Sequence, residues 1–248
     1  MKILVTGAGG SIGSALCRKI AAGNPELLMM FELSEYALYK IDQELSCERL
    51  AVLGDVKDAR RLEQLPRPDL IFHCAAYKHV PMLEAPLNVE QAYQNNVKGT
   101  EVVMASFTKA HRIVLLSSDK AVNPVSVMGR SKLMAEGIAK IYGRSVARLG
   151  NILESSGSVV PKFREQIAKG GPVTVTDSEA TRYFMPINEA VDFILGVAEK
   201  DPGVYQAKMG DPVRILDLAK QMIGDRDIKI EFTGLRPGEK LHEQLEAA

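Results

Sequence analysis

The sequence lacks several features that would direct it to a particular partner or compartment. Its 31 Lys and Arg balance 31 Asp and Glu, so no charge excess predicts a nucleic-acid partner or an anionic membrane surface. Three cysteines without metal or redox spacing, Cys17, Cys47 and Cys74, indicate a reducing, cytoplasmic setting. No apolar run approaches the length of a membrane span, and a glycine turn that begins at residue 7 argues against a signal peptide. We therefore expect no membrane segment in this chain, and we predict no metal site.

Strand and helix signals alternate along the first part of the chain. Short apolar runs predict strands near residues 2–6, 27–31, 51–53, 70–72, 113–116 and 146–149. Helices are predicted near residues 34–46, 88–109, 126–142, 159–169, 188–199 and 214–223. Continuous apolar strands that alternate with helices predict a parallel sheet covered on both faces. We therefore predict an α/β fold, with a doubly wound Rossmann-type sheet over 1–149 and a smaller substrate-binding lobe over 150–248 that partly returns to the first domain.

A glycine-rich turn joins the first predicted strand to the first predicted helix. Gly7, Gly10 and Gly13 stand in the strand–turn–helix context that makes such a motif indicative of a dinucleotide site. They would permit a tight turn, a close approach of the backbone to a pyrophosphate, and close packing of helix on strand. Ser11 and Ile12 begin the helix, whose free N–H groups suit phosphates. The alternative is a glycine turn that binds no ligand.

Glu32 ends the second predicted strand. A carboxylate there can accept hydrogen bonds from an adenosine ribose and would repel a 2′-phosphate. Leu33 supplies no positive charge to offset this, so we favour NAD, with NADP possible. The alternative is that Glu32 caps the next helix, because Ser34 and Glu35 also suit a helix start. Five residues after the third and fourth strands complete the predicted cofactor site: Asp55, Val56, Ala75, Ala76 and Tyr77.

Polar residues also follow the strand over 113–116, at the edge where parallel sheets bind ligands. Ser117, Ser118, Asp119 and Lys120 place an acid beside a candidate base, and Lys132 follows shortly afterwards. This combination indicates dehydration more than simple alcohol oxidation, since dehydration needs an acid and a base at one site. The alternative for the Asp119–Lys120 pair is a solvated pair at a strand end.

Motifs spread over nearly the whole chain resemble those of one enzyme family. They are Gly-Ala-Gly-Gly-Ser-Ile-Gly-Ser at 7–14, Leu-Ser-Glu-Tyr-Ala-Leu-Tyr at 33–39, Ala-Ala-Tyr-Lys-His-Val-Pro at 75–81, Ser-Asp-Lys-Ala-Val-Asn-Pro at 118–124, Gly-Ser-Val-Val-Pro at 157–161, Thr-Arg-Tyr-Phe at 181–184 and Arg-Pro-Gly-Glu-Lys-Leu at 236–241. In these motifs the chain resembles the UDP-N-acetylglucosamine 4,6-dehydratases of bacterial polysaccharide biosynthesis, which are extended short-chain dehydrogenases/reductases. The resemblance implies a UDP-sugar substrate, an NAD cofactor and a homo-oligomer.

The resemblance also implies roles for the catalytic residues. Asp119 would protonate the departing C6 hydroxyl, Lys120 would remove the C5 proton, and Ser118 would bind the C4 oxygen. Lys132 would bind the nicotinamide ribose, and we expect its charge to lower the pKa of Lys120. Met128 stands where the catalytic tyrosine is usual, as it does in one branch of the family. Because a thioether cannot take up a proton, we hypothesise that Asp119 or Lys120 accepts the C4 hydroxyl proton.

Six further residues are implied to bind the substrate: Lys78, His79, Asn151, Arg182, Arg236 and Glu239. Lys78 and His79 would line the sugar pocket. The two arginines and Asn151 would bind the diphosphate, since guanidinium groups match phosphate oxygens. A structural position for His79 and a solvated position for each arginine are the alternatives. His73 and Cys74 are interpreted as core residues. Glu154 replaces the glycine of the family, and we expect its charge to weaken diphosphate binding.

Two other functions stay open at this point. A sugar-nucleotide epimerase or reductase would use the same cofactor, but epimerisation at C4 needs no acid for a C6 leaving group, so Asp119 and Lys120 favour the dehydratase. A catalytically silent NAD-binding protein is favoured by Met128, Glu154 and the short chain. The joint presence of Asp119, Lys120 and Lys132 opposes it.

Overall fold

The computed structural model describes residues 1–245 as an α/β chain. Its strands are β1 Lys2–Thr6, β2 Leu27–Glu32, β3 Arg49–Leu53, β4 Leu70–His73, β5 Arg112–Ser118, β6 Ser145–Leu149, β7 Asn151–Ile152, β8 Val173–Val175, β9 Thr181–Arg182, β10 Phe184–Met185, β11 Val204–Gln206, β12 Val213–Arg214 and β13 Ile230–Phe232. Its α-helices are α1 Ser11–Ala22, α2 Glu35–Asp42, α3 Ala59–Glu63, α4 Val80–Leu83, α5 Pro86–Tyr93, α6 Gly99–Ser106, α7 Val127–Ile141, α8 Val159–Ala168, α9 Ile187–Ala198 and α10 Ile215–Ile223.

The central sheet has seven strands in the order β11-β6-β5-β4-β1-β2-β3, all paired in parallel. The strand order reverses beside β1, and this is the point where doubly wound sheets bind ligands, at the carboxyl ends of the strands. The predicted Rossmann-type parallel sheet is therefore confirmed. Sequence reasoning missed β11, which extends the sheet beyond β6.

Both faces of the central sheet are buried. Val5 and Met30 point into one apolar cluster with Leu16 of α1 and Ile194 of α9. The residues that alternate with them on the strands enter a second cluster, which also takes in side chains of α6 and α7. Burial on both faces explains why these strands read as continuous apolar runs.

A third apolar cluster lies in the second half of the chain. Phe163 of α8, Val173 of β8 and Ala219 of α10 pack together there, and β8 pairs in parallel with β13. By contrast, α9 packs on the central sheet and β11 is one of its strands. The division into domains at residue 149 stays a prediction. Among residues 1–245, no helix has both the length and the apolar character needed to cross a membrane.

The helix predicted over 88–109 is confirmed over most of its length, but it contains a π-helical turn and ends early. The structure has α5, then a π-helical turn over Gln94–Lys98, then α6, which ends at Ser106. Asn95 and Asn96 are buried in that turn, and their amides need polar partners that a regular amphipathic helix does not provide. The helix predicted over 34–46 also ends early, at Asp42, and β3 begins at Arg49 rather than at residue 51.

Candidate active site

The glycine turn forms a cradle with no room for side chains. Gly7 has a φ of +67°, and a Cβ added there would lie 2.7 Å from the backbone nitrogen of Ala75. A Cβ on Gly13 would lie 2.0 Å from the carbonyl oxygen of Gly7, so helix α1 sits directly on the turn. Gly10 is the N-cap of α1 and has no side chain to occupy the free N–H groups of the first turn. These groups fit the pyrophosphate of a dinucleotide.

Ser11 links the glycine turn to a segment of the second half of the chain. Its hydroxyl accepts a hydrogen bond from the Ser156 backbone N–H at 3.1 Å and lies 3.3 Å from the Ser156 hydroxyl. The neighbouring Ile12 packs against the apolar core.

Glu32 satisfies backbone donors on both sides of the turn. One carboxylate oxygen accepts from Gly9 at 3.0 Å, and the other accepts from Leu33 at 2.9 Å and Ser34 at 3.0 Å. Ser34 is the N-cap of α2, and its hydroxyl accepts from the Ala37 N–H, whereas the bonds of Glu32 at this helix entry go to N–H groups that precede the helix. The contact of Glu32 with a ribose stays a prediction.

The residues after β3 and β4 have different environments. Asp55 pairs with Lys57 at 2.8 Å and lines an open cavity of about 420 Å³, whereas the side chain of Val56 lies in the apolar core. After β4, the Tyr77 N–H donates to the Asn96 side chain at 2.7 Å. Asn96 in turn donates to the Tyr77 carbonyl and to Ser131 of α7. Asn96 thus fixes the loop over 75–77 to α7, a role that sequence reasoning missed.

A buried group of charged and polar residues surrounds Lys120. Its ammonium nitrogen lies 3.0 Å from Asp119 Oδ1, 3.2 Å from Asn151 Oδ1 and 3.3 Å from Glu243 Oε1. We call these four residues the Lys120 cluster. The Ser118 hydroxyl donates to Asp119 at 2.9 Å. Glu243 lies far along the chain from the other members and was not predicted.

Two carboxylates control the charge of Lys120. Burial acts to lower the pKa of Lys120, but the charges of Asp119 and Glu243 outweigh burial, so the pKa is raised. The expectation that Lys132 lowers this pKa is wrong, because the cation that opposes the carboxylates is Arg182. Lys132 instead donates to the Leu116 carbonyl at 2.8 Å. Burial lowers the pKa of Lys132 itself to about 8.

Helix α7 is tied to the sheet by a buried ion pair. Glu136, one turn beyond Lys132, binds Arg148 of β6 at 2.6 Å and accepts from the Ser117 hydroxyl at 2.5 Å. The pair fixes Lys132 relative to the ends of β5 and β6. Sequence reasoning missed Glu136, which lies in an ordinary helical pattern.

Met128 is almost fully buried, with 3% of its surface exposed. It packs in an apolar cluster with Val80, Leu83, Ala92 and Val127. The beginning of α7 also lies against the turn that carries Lys120, since a Cβ on Gly129 would lie 2.3 Å from the Lys120 carbonyl oxygen. Met128 is therefore a packing residue in this chain, and its equivalence to the usual catalytic tyrosine stays a prediction.

The two arginines predicted to bind substrate have partners within the chain. Arg236 pairs with Glu239, with the guanidinium Nε 3.0 Å from the carboxylate, so the charges of these two residues offset each other. Arg182 donates to the carbonyls of Thr181 and Leu241 and lies 3.9 Å from Glu243. The structure thus brings Arg182 to the edge of the Lys120 cluster.

The amide of Asn151 is engaged at both ends. Its oxygen faces Lys120, and its nitrogen donates to the Tyr183 carbonyl at 3.0 Å. Lys78 and His79 are exposed, and partial desolvation by neighbouring atoms lowers the pKa of each. The His79 ring lies over Gly157, where an added Cβ would come within 2.4 Å of it.

Of the predicted core residues, His73 is buried between the hydroxyls of Thr6 at 2.7 Å and Thr100 at 3.1 Å, while Cys74 is partly buried. Glu154 has a φ of +61°, in the left-handed region that favours glycine. Its exposed carboxylate pairs with Arg164 at 2.7 Å. This left-handed backbone explains why glycine is expected at this position.

The strand order, the glycine cradle and the Lys132-bearing helix define this chain, by its fold, as an extended short-chain dehydrogenase/reductase. It matches the structure of Pen from Bacillus thuringiensis with a TM-score of 0.94 and 29% identity, over 99% of this chain and 83% of that one. The chain belongs to the polysaccharide biosynthesis protein family, whose model matches residues 3–248.

Two curated relatives cover almost the whole chain. It is 42% identical to the capsular polysaccharide biosynthesis protein CapD of Staphylococcus aureus over 98% of this chain. That match spans 44% of CapD, so the chain covers less than half of this relative. It is 32% identical to a UDP-glucose 4-epimerase of Rickettsia conorii, over 98% of this chain and 76% of the relative.

Proposed function

We propose that this chain is an NAD-dependent nucleotide-sugar 4,6-dehydratase that acts on UDP-N-acetylglucosamine. The observation that carries this function is the Lys120 cluster, in which a buried acid and a partly buried base lie 3.0 Å apart at the carboxyl end of β5. Gly7, Gly10 and Gly13 would hold the pyrophosphate, and Lys132 the nicotinamide ribose. Bound NAD would accept a hydride from the sugar C4 and return it to C6. The homo-oligomer expected from the sequence stays a prediction.

The first proton must leave the C4 hydroxyl when the hydride leaves C4. Met128 cannot accept it, because a thioether is not a base at neutral pH. Asp119 is fully buried, and its Oδ2 atom has no hydrogen-bond partner among residues 1–245. A carboxylate oxygen that no donor occupies keeps its lone pairs free to accept a proton from a substrate hydroxyl. Asp119 therefore accepts the C4 hydroxyl proton.

Elimination follows from the same two residues. The ketone at C4 acidifies the C5 proton, and Lys120 removes it. Asp119 then returns its proton to the C6 hydroxyl, which leaves as water. After the hydride reaches C6, Lys120 gives its proton back to C5. The sugar has lost one water and carries a methyl group at C6, and Asp119 is again a carboxylate.

Variants of the two residues separate the steps. We expect Asp119→Asn to slow C4 oxidation by about 100- to 10,000-fold, the usual contribution of a positioned acid or base. Lys120→Met is expected to permit C4 oxidation, seen as reduced nicotinamide, but to block loss of water. Lys140→Met is the matched control for loss of a lysine charge, because Lys140 is exposed near the end of α7. Equal turnover of Lys120→Met and wild type would contradict these roles.

Epimerisation at C4 is a second candidate, and the Rickettsia relative named a UDP-glucose 4-epimerase is the observation that favours it. The two reactions differ in mass balance, since an epimerase conserves the substrate mass and a dehydratase removes one water. Mass spectrometry of the nucleotide-sugar product distinguishes them. An isomer of unchanged mass would favour the epimerase and remove the need for an acid at Asp119.

A further inference from the structure

The proposed dehydratase reaction requires the site to hold two protons at the same time. One comes from the C4 hydroxyl and goes to Asp119. The other is already on Lys120, whose raised pKa keeps it an ammonium at neutral pH. Lys120 can remove the C5 proton only after it has released its own. A carboxylate holds one proton, so Asp119 cannot store both, and a second acceptor in contact with Lys120 would keep the released proton within the site.

Glu243 is the other carboxylate in contact with Lys120 within the part of the chain that the structure describes. The carboxylate is 3% exposed, and its Oε1 lies 3.3 Å from the Lys120 nitrogen. Its Oε2 atom is buried and has no hydrogen-bond partner among residues 1–245. The remaining polar neighbour of Lys120 is Asn151, whose amide cannot accept a proton at neutral pH.

The segment that carries Glu243 is anchored independently of Lys120. Thr181 of β9 donates its N–H to the Leu241 carbonyl at 3.0 Å, and its hydroxyl lies 2.9 Å from the His242 ring. Arg182 donates to the same Leu241 carbonyl. These bonds keep Glu243 in place when its charge changes, so a proton can move between two fixed groups.

We propose that Glu243 is a positioning residue that holds Lys120 in place and stores its proton while Lys120 acts as the C5 base. An N–H bond of Lys120 breaks and an O–H bond forms on Glu243, which leaves a neutral amine and a neutral carboxylic acid. When the reaction ends, Lys120 has returned the C5 proton to the sugar. Glu243 then gives the stored proton back and restores the ammonium.

Charges on every neighbouring element act on this transfer. Asp119 on the same turn stabilises the ammonium, and Arg182 on β9 opposes it. Lys240 lies 3.7 Å from Glu243 and places a second positive charge beside its carboxylate. In the proposed sequence, the transfer occurs when the C5 proton becomes acidic.

Glu243→Gln removes the proton acceptor and keeps the shape of the side chain. We expect reduced nicotinamide to form at the wild-type rate, whereas loss of water at pH 7 slows by about 100- to 1,000-fold. The defect should shrink as pH rises, because above the pKa of Lys120 the amine is already neutral and needs no acceptor. Glu243→Asp should recover part of the rate. A defect that is independent of pH would indicate a purely structural role and overturn the inference.

Gln244→Ala is the matched control for disturbance of the segment. Gln244 is the exposed neighbour of Glu243 and accepts a hydrogen bond from Asn123 at 2.7 Å. We expect this variant to keep the wild-type ratio of oxidation to water loss. An equal defect in both variants would contradict the storage role, since it would trace the loss to the segment rather than to the carboxylate.

A measurement without substrate separates this inference from the proposed function. Carbon NMR of the Lys120 Cε atom, titrated with pH, should show a lower pKa in Glu243→Gln than in wild type, because one of two stabilising carboxylates is gone. An unchanged pKa would overturn the inference. A wild-type protein that makes no product would overturn the proposed function itself, and product formation with unaltered water loss in Glu243→Gln would overturn this inference alone.

Discussion

Replacing Gly13 with alanine tests whether the glycine cradle binds a dinucleotide. The added Cβ would lie 2.0 Å from the Gly7 oxygen, 2.9 Å from the Gly7 carbonyl carbon and 3.0 Å from the Ala8 Cα. Ordinary contact begins at 3.4 Å, so α1 and the turn must separate by about 1.4 Å, the difference between 3.4 and 2.0. All three atoms are backbone, so a rotamer change cannot relieve the clash.

Two magnitudes follow from this displacement. Overpacking of a well-packed core costs about 1–3 kcal/mol, and we expect the free energy of unfolding to fall by that amount. A displaced helix N-terminus loses at least one charge-assisted hydrogen bond to the pyrophosphate, worth about 1.5–3 kcal/mol. NAD should therefore bind about 10- to 100-fold more weakly, at about 1.4 kcal/mol per tenfold. Denaturant unfolding measures the first quantity, and calorimetric titration with NAD measures the second.

Gly137→Ala provides the same substitution without the clash. Gly137 lies within α7, and an added Cβ meets no atom within 4 Å among the described residues. Alanine favours a helix over glycine by about 1 kcal/mol, so this variant should be more stable than wild type and bind NAD normally. A Gly13→Ala variant that binds NAD as tightly as Gly137→Ala would refute the assignment of the cradle.

Three further substitutions test the residues around the site. Burial lowers the pKa of Lys132 from 10.5 to about 8, so between pH 8 and pH 10.5 the unfolded chain binds this proton and the folded chain does not. The free energy of unfolding should therefore rise over that pH range by about 3 kcal/mol. Denaturant titrations at several pH values should show this rise in wild type and no such rise in Lys132→Met. Glu154→Gly relieves the strain of a left-handed backbone, which costs about 1–2 kcal/mol. The variant also loses an exposed ion pair with Arg164 and has more chain entropy in the unfolded state, so we expect a net gain of about 0.5–1 kcal/mol in the free energy of unfolding. Thermal unfolding measures this gain, and an unchanged melting temperature would contradict the strain. Met128→Tyr places a hydroxyl in an apolar cluster, and we expect it to destabilise the protein by about 1–3 kcal/mol without raising turnover, whereas a large gain in activity would show that the native site is impaired.

The sequence predicts the glycine turn and the parallel sheet well, because their signals are local. Gly7, Gly10 and Gly13 lie within one turn, and both their spacing and their setting between strand and helix can be read directly. The alternation of apolar strands and helices likewise predicts the parallel sheet, since each strand is buried on both faces. The π-helical turn at Gln94–Lys98 was not predictable in the same way, because it depends on the hydrogen-bond partners that the fold supplies to the buried amide of Asn96.

The charged contacts of Lys120 and Glu136 join residues that are far apart in the sequence. The bonds between Thr181 and the segment at 241–242 hold Glu243 beside Lys120, and no local sequence pattern predicts this contact. The same holds for Glu136, whose partner Arg148 lies on another element. The rise of the Lys120 pKa therefore has a local cause in Asp119, and a second cause in Glu243 that only the fold brings near.

Proton NMR of the wild-type protein incubated with UDP-N-acetylglucosamine and catalytic NAD tests the central claim most directly. We predict a new methyl doublet from C6, accompanied by loss of one water from the nucleotide sugar, and the coupling of H5 then reports inversion or retention at C5. A substrate spectrum that stays unchanged, or a product that is an isomer without a C6 methyl group, would contradict the assignment of this chain as a 4,6-dehydratase.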